Sequence, residues 1–451
     1  MNRQPPAEPA MPASRERLIL FTRYPEPGTT KTRLIPVLGP EGAAAFQERL
    51  SRHAVERASR FATARGASLE IRHEGGSVDR MRAWLGSQHA YRSQDPGPLG
   101  RRMAQSFAQA FSSGVERAVI IGADIPGITG ADLVRAFDAL DRHDLVFGPT
   151  ADGGYYAVGT TADGFRRGSP YLDAHIAWGT AKVLAQSIDA ARGGGLSWEL
   201  LDAHADVDRP EDLPTALNTL SEAAAPPKLS VIIPALDEAH HIGTTLSALP
   251  RSADVEIIVV DGGSRDGTAS IAESRQIRVL KTRPPRAIQM NAGAALASGA
   301  CLVFLHADTR LPHDLAAQVA ATLSRPRTEA GAFRLRIDSP HPSLKLMAHV
   351  ANWRSRWLQM PYGDQAIFMH RNLFWKLGGF APLAIMEDFD MVRRLKKRTR
   401  IRLAPGCAVT SARRWRQHGV FTTWLCNQWM IAAFQLGASP DRLVRWYRFK
   451  R

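Results

Sequence analysis

Acidic residues stand directly after short apolar runs at three places in the second half of the chain. LSVIIP, from Leu229, leads into Ala235-Leu236-Asp237-Glu238; EIIVV, from Glu256, leads into Asp261-Gly262-Gly263-Ser264-Arg265-Asp266-Gly267-Thr268; CLVFL, from Cys301, leads into His306-Ala307-Asp308-Thr309. A carboxylate can accept from an imide or a ribose hydroxyl, and paired glycines let main-chain amides approach a ligand closely. His306 and Asp308 offer the imidazole and oxygen ligands that a hard divalent cation takes when it bridges two phosphates. Arg286, Gln289 and Asn291 stand just upstream. Ordinary Asp-Gly turns account for either glycine-flanked cluster alone; the combination points to a site.

Further along, YGDQAIF carries Asp364 and IMEDFDM carries Glu387, Asp388 and Asp390, acids set in a basic stretch. One of them can act as the general base that deprotonates an acceptor hydroxyl during attack at an anomeric carbon. First-turn acids on a solvated helix are the alternative reading. In the first half, PEPGTTKTRL joins a flexible Gly28 to Lys31 and Arg33, a loop able to meet phosphates through amides and fixed cations. It lacks the GxxxxGK[ST] spacing of a Walker loop. AVIIG leads into Asp124, LVFGP leads into Asp152, and Asp206-Val207-Asp208 follows later.

The elements that must position these residues repeat. Both halves open with an apolar strand pattern running into a turn-rich loop, at Glu16 and at Lys228. Continuous apolar, often β-branched runs alternate with helical stretches, such as residues 103–111, 131–140 and 288–297, which predicts parallel strands covered on both faces. Each half therefore reads as an open α/β sheet, whose ligands sit beyond the carboxyl ends of the strands. SEAAAPP, residues 221–227, is small, proline-containing and aperiodic, as an interdomain linker is. The expected organisation is a flexible stretch over residues 1–14, a domain over 15–220, a linker over 221–227 and a second domain over 228–451.

A chain of 451 residues exceeds one hydrophobic core and suits two domains. Its net charge of +15 is uneven: residues 1–225 hold 25 basic and 27 acidic side chains, so the remainder holds 33 and 16. Such a surplus suits phosphorylated substrates, an anionic membrane surface or nucleic acid. No helix-turn-helix, zinc-finger or aromatic RNA-binding signature accompanies it, so nucleic acid is not expected as a partner. Cys301, Cys407 and Cys426 lack metal-ligand spacing and are too few for a disulfide framework. No signal-peptide core and no apolar run of bilayer length is present, so the expected location is the cytoplasm. The cationic, aromatic tail RLVRWYRFKR, residues 442–451, could rest at the inner face of the cell membrane or form a solvated helix.

In order and type, the motifs from Leu229 to Trp415 resemble those of the family 2 inverting glycosyltransferases of the GT-A fold. That resemblance implies that Pro234, Asp237, Glu238, Asp261 and Ser264 hold the nucleoside of a nucleotide-diphosphate sugar. It implies that Asp308 takes the metal-binding role of the family's Asp-x-Asp, with Mg2+ or Mn2+ as cofactor. Asp364 and Asp388 would line the acceptor side beside Glu387, with Asp388 the expected base and Asp364 its rival. Ser411-Ala412-Arg413-Arg414-Trp415 is similar to the family's Gln-x-x-Arg-Trp, with Ser in place of Gln; Arg and Trp border the diphosphate and acceptor there. GGSRDGT, FLHADT, YGDQ and SARRW together are most similar to a bacterial branch labelled for arsenosugar biosynthesis, akin to carotenoid-acid glucosyltransferases. The implied acceptor is a small molecule or lipid-like.

From Leu18 to Leu213 the motifs resemble the DUF2064 proteins, GT-A-like and related to cofactor guanylyltransferases. Asp124 and Asp208 match the two aspartates that hold magnesium in such nucleotidyltransferases, although Tyr24-Pro25-Glu26-Pro27-Gly28 replaces their glycine-rich loop. Two tandem GT-A sheets are therefore expected. Two functional readings stand: a bifunctional enzyme that handles an activated sugar and then transfers it, or one working transferase beside a degenerate binding or scaffold module.

Overall fold

The computed structural model describes residues 14–173, 175–220 and 228–448, with the side chains of Arg414, Gln417, His418, Tyr447 and Arg448 not described. Residues 1–13, the expected linker 221–227 and the last three residues of the tail lie outside the described residues. The fold divides into two compact units: residues up to Glu26 with Phe46–Asp208, and Pro27–Ala45 with Arg209–Arg451.

In the first unit the strands are β1 (Glu16–Arg23), β2 (Ser68–Glu74), β3 (Ala90–Ser93), β4 (Arg117–Gly122), β5 (Leu145–Pro149), β6 (Tyr155–Thr161) and β7 (Trp198–Leu200). They form one sheet of order β3-β2-β1-β4-β6-β5-β7. Along β1 and β4 the alternation of side chains divides the core in two. Leu18, Leu20, Val119 and Ile121 pack on one face, and Ile19, Ala118 and Ile120 on the other.

The second unit adds β8 (Leu229–Ala235), β9 (Val255–Asp261), β10 (Arg278–Lys281), β11 (Cys301–Phe304), β12 (Thr309–Arg310), β13 (Ala330–Asp338), β14 (Phe368–His370) and β15 (Ile401–Ser411). Their order is β10-β9-β8-β11-β14-β13-β15-β12. Every residue of β8 is buried, as its unbroken apolar run requires. The helix Arg286–Leu296 is buried from Ala287 to Leu296. It packs directly on the sheet through Gly293, where a Cβ would stand 2.6 Å from Ile232 Cγ2 and 2.9 Å from Val260 Cγ2.

Neither sheet is purely parallel, which corrects one expectation. β6 runs antiparallel to β4 and β5, and β14 antiparallel to β11 and β13. Between β5 and β6 only Thr150 to Gly154 intervene, too short for a parallel crossover. What the sheets retain from the expected pattern is the β9-β8-β11 and β2-β1-β4 parallel cores, whose carboxyl ends carry the acidic loops.

Candidate active site

Beyond β8 and β9, two loops brace one another. Asp237, in left-handed backbone at φ 53°, donates its amide to Ser264 Oγ at 2.9 Å and accepts at Oδ1 from the Arg265 amide at 2.8 Å. Asp261 Oδ2 accepts from the amides of Gly263 and Ser264, both at 3.1 Å. The Glu238 amide donates to Thr268 Oγ1 at 2.9 Å, and Asp266 Oδ2 accepts from Ala239. Hydrogen bonds from the Thr268 hydroxyl and the Ala239 amide hold Asp266 below the ordinary carboxylate pKa. Asp261 is 2% exposed, and its Oδ1 is buried without a hydrogen-bond partner among the described residues. A buried carboxylate oxygen is costly to leave unpaired, so a donor group on a ligand is the natural complement. Pro234 is buried within β8 opposite Val260 and shapes the strand end.

From β11 the chain turns through Leu305-His306-Ala307-Asp308 into β12. The Asp308 carbonyl accepts from the Ser411 amide at 3.2 Å, which brings the SARRW stretch to the same strand end. Arg413 Nη2 donates to Glu238 Oε1 at 2.7 Å, joining residues 175 apart in sequence. The hydrogen bond from Glu238, with Asp308 nearby, raises the Arg413 pKa. Glu238 Oε2 is buried without a hydrogen-bond partner among the described residues. The Arg414 side chain lies outside the described residues, and Trp415 packs beside Leu335, Ile337 and Ala412.

The residues expected on the acceptor side converge on Arg286. Its Nε donates to Glu387 Oε1 at 2.6 Å and its Nη1 to His306 Nε2 at 3.1 Å. Burial works against its charge, yet the carboxylates of Glu387, Asp388 and Asp364 outweigh that and hold its pKa above the usual value. Asp388, half-buried in the first turn of the helix Glu387–Lys396, accepts at Oδ2 from the Gly363 amide at 2.7 Å and at Oδ1 from its neighbour Phe389 at 2.7 Å. Asp364 sits in the 3-10 turn Gly363–Gln365, which Gln365 anchors by donating to the Phe333 carbonyl. Burial raises the Tyr362 pKa, and the Arg354 guanidinium lies 3.5 Å from its ring centroid.

Three expected site residues do other work here. Glu387 is 2% exposed and paired with Arg286, so it orients the guanidinium. Asn291 is fully buried, donating to the carbonyls of Val37 and Phe380 and accepting from the Phe380 amide, so its amide is taken up by main chain. His306 directs Nε2 at a guanidinium, an acceptor role that withdraws that nitrogen from a metal. Gly363 was missed by sequence reasoning. A Cβ there would stand 2.9 Å from His306 Nε2 and 3.1 Å from Asp388 Oδ2, and the only signal was its place in YGDQ.

No group of three or more His, Cys, Asp or Glu gathers as a metal cage among the described residues. Asp308 nevertheless fits a cation completed by a ligand. Its carboxylate is half-buried and accepts a long 3.4 Å hydrogen bond from Thr309 Oγ1. Magnesium is commonly held by one or two carboxylates together with substrate phosphates.

In the first unit the Val207 amide donates to the Asp124 carbonyl at 3.2 Å, which brings Asp208 to the strand end of Asp124. Asp152 is exposed and closes its own loop, accepting from Thr150 Oγ1 at 2.6 Å and the Gly154 amide at 3.1 Å. Gly28, Lys31 and Arg33 group with the second unit, Gly28 at φ 86° and Lys31 at φ 50°.

Comparison with known proteins extends these observations. Residues 230–381 match the family described as Glycosyl transferase family 2, and residues 57–180 match an uncharacterized protein family conserved in bacteria, DUF2064. The chain is similar to PGL/p-HBAD biosynthesis glycosyltransferases of Mycobacterium bovis and Mycobacterium tuberculosis, with 38% identity over 183 residues, 37% of this chain and 68% of theirs. Among solved structures, a nucleotide-diphospho-sugar transferase of Desulfovibrio desulfuricans, itself described as putative, is 32% identical over 47% of this chain and 90% of its own, with a TM-score of 0.43. The TarS structure of S. aureus in complex with UDP-GlcNAc is 17% identical over 41% of this chain and 58% of its own, with a TM-score of 0.33. The motif-bearing sheet and the match to the mycobacterial relatives agree: the chain belongs to glycosyltransferase family 2, built on two mixed α/β sheets.

Proposed function

We propose that the second unit transfers a sugar from a nucleotide-diphosphate donor to a hydroxyl of a small-molecule or lipid-like acceptor, with inversion at the anomeric carbon. The observation that carries this reading is the orphaned Oδ1 of Asp261, held at the end of β9 by two amides on its other oxygen. An imide or ribose donor would complete it. Asp237, Glu238 and Ser264 frame the same end, and Arg413 and Arg286 supply fixed positive charge for the diphosphate.

In this reading the acceptor oxygen attacks the anomeric carbon while the bond from that carbon to the diphosphate oxygen breaks. The acceptor's proton passes to Asp388, whose carboxylate is oriented by the Gly363 and Phe389 amides; Asp364 is the rival for that role. Asp308 would hold Mg2+ or Mn2+, which when bound stabilises charge on the departing diphosphate. Arg286, fixed by Glu387 and facing His306, keeps its charge at this edge throughout.

For the first unit, the proximity of Asp124 and Asp208 supports a second, metal-dependent nucleotidyl-handling activity; a binding or scaffold module is the alternative. The arsenosugar-labelled branch and the guanylyltransferase relationship belong to this proposal, as do a cytoplasmic location and contact of the cationic tail with the membrane. No helix among the described residues is long and apolar enough to cross a bilayer.

Mass spectrometry of products from purified protein, a panel of nucleotide sugars and cell extract tests the main reading. A hexose-mass increase dependent on one nucleotide sugar supports it, and hydrolysis without any transferred sugar counts against it. Loss of a separate metal-dependent reaction in Asp124→Ala would establish the bifunctional form; an unchanged product profile would favour the module.

A further inference from the structure

We propose that the helix Pro342–Trp357 and the arginine cleft beside it form a docking surface for an anionic phospholipid bilayer. The surface lies within the second unit, and the inference does not depend on the sugar or acceptor.

The helix is amphipathic in an unusual sense. Leu344 and Ala348 face inward onto Leu335 and Ile337. On the opposite side Leu346, Val350, Trp353 and Trp357 follow at spacings of four, three and four, which places them on one stripe. All four are exposed, Trp353 by 55% and Trp357 by 64%, and Leu358 extends the stripe at 52%. Lys345, His349 and Arg356 run along one flank of that stripe and are exposed as well.

That cationic flank opens on a cleft of about 770 Å³ between the helix and the start of β15. Arg325, Arg334, Arg356, Arg400 and Arg402 line it with His349, and no carboxylate does. None of these five guanidinium groups is paired with a carboxylate among the described residues; Arg402 bonds Thr328 Oγ1 at 3.0 Å and Arg356 lies 5.6 Å from the Trp357 ring centroid. A concentration of unpaired arginines calls for phosphate-like charge in quantity.

The combination selects among polyanions. A nucleic-acid strand would stack on the tryptophans and neutralise the arginines, yet would leave Leu346, Val350 and Leu358 against water or ribose. A bilayer surface accommodates every part: aliphatic side chains enter the acyl boundary, tryptophans sit at headgroup level, and arginines reach the phosphates. The same small cluster under the helix also receives Val420, at the start of the helix Val420–Gln435, whose Phe421 and Leu425 are exposed at 71% and 52%. The apolar surface is therefore not confined to one helix.

The test is co-sedimentation of the full-length protein with vesicles, without donor or acceptor. Vesicles containing 1 part phosphatidylglycerol in about 3 should bind the protein, and phosphatidylcholine vesicles should bind it far more weakly, with salt reversing the difference. Trp353→Ser with Trp357→Ser should lower partitioning by about tenfold or more. Arg356→Gln and Arg400→Gln should each lower it about fivefold. Arg442→Gln with Arg445→Gln, in the carboxyl-terminal helix, should change it less than either. Thermal melting of each variant identifies any that fails to fold, and the exposed arginine changes keep the test decisive if the tryptophan pair proves unstable. The proposal is overturned if acidic vesicles do not bind, if the tail variant alone abolishes binding, or if single-stranded oligonucleotide binds while vesicles do not.

Discussion

The main-chain amide of Gly363 donates to Asp388 Oδ2 at 2.7 Å, tying the YGDQ turn to the first turn of a helix 25 residues further along the chain. The bond aims the Asp388 carboxylate and at the same time sets the turn that presents Asp364. In Asp388→Asn the side-chain oxygen can still accept the Gly363 bond, while the NH2 group cannot accept the one from Phe389, so the side chain stays tied to the turn without its charge. Asp388→Asn should therefore lower turnover by roughly 10²-fold or more while nucleotide binding stays nearly unchanged. Near-normal turnover, with Asp364→Asn inactive, would transfer the role to Asp364.

Gly363 itself is a geometric requirement. Alanine would place a methyl group 2.9 Å from His306 Nε2 and 3.1 Å from Asp388 Oδ2, so both side chains must shift. A loss of turnover on the order of 10- to 100-fold, with a smaller change in melting temperature, is expected from Gly363→Ala. Equal losses in folding and activity would reduce the residue to a packing role.

Glu387→Gln separates orientation from catalysis. The carboxylate is 2% exposed while the Arg286 side chain is 41% exposed, so solvent reclaims part of the guanidinium when the pair is broken. The expected cost is about 1–3 kcal/mol of stability, below that of a fully buried pair. Weaker donor binding should accompany it, measured by nucleotide titration, because Arg286 is no longer fixed. An unchanged melting temperature would contradict the pairing.

Asp308→Ala should abolish transfer, and chelator-treated wild-type protein should regain transfer on titration with Mg2+ or Mn2+ where the variant does not. Wild-type activity that is the same in chelator as in metal would remove the cation from the proposal.

The first unit should weaken on mild acidification. Burial is the main cause lowering the pKa values of His53, His73 and His89 below 6.5, with Arg57 adding to the effect at His53. The unfolded chain then binds more protons than the folded one as pH falls through 6.5 toward the depressed folded values. The neutral-histidine contribution is complete above pH 6.5 and is lost through that window. Melting at pH 7.5 and pH 5.5 checks it, and His53→Gln should flatten the difference. A unit equally stable at both values would contradict the burial argument.

How much of this was written in the chain differs between levels. Strand-then-acid patterning located the loops at Asp237, Asp261 and Asp308 because apolar runs of strand length bury themselves and leave their following residues at the sheet edge. With the acceptor side of Asp364 and Asp388 implied by the family resemblance, patterning alone marked Arg286 and these acids as residue types able to carry the chemistry. It could not separate Glu387 from Asp388. Adjacent helix positions point about 100° apart, and only packing decided that one is sealed against Arg286 while the other meets the Gly363 amide. Nor could it place Asn291, whose polar side chain was expected in the cleft but is consumed by the carbonyls of Val37 and Phe380. Strand direction was likewise undetermined: parallel and antiparallel neighbours share one apolar pattern, and the short connection from β5 to β6 enforced reversal. The sequence by itself determined which residues can do chemistry and that Asp237, Asp261 and Asp308 follow strands. Partners distant in sequence, Arg413 with Glu238 and Gly363 with Asp388, were decided by the tertiary structure, because hydrogen bonds between remote segments depend on how sheets and helices pack and not on any local periodicity.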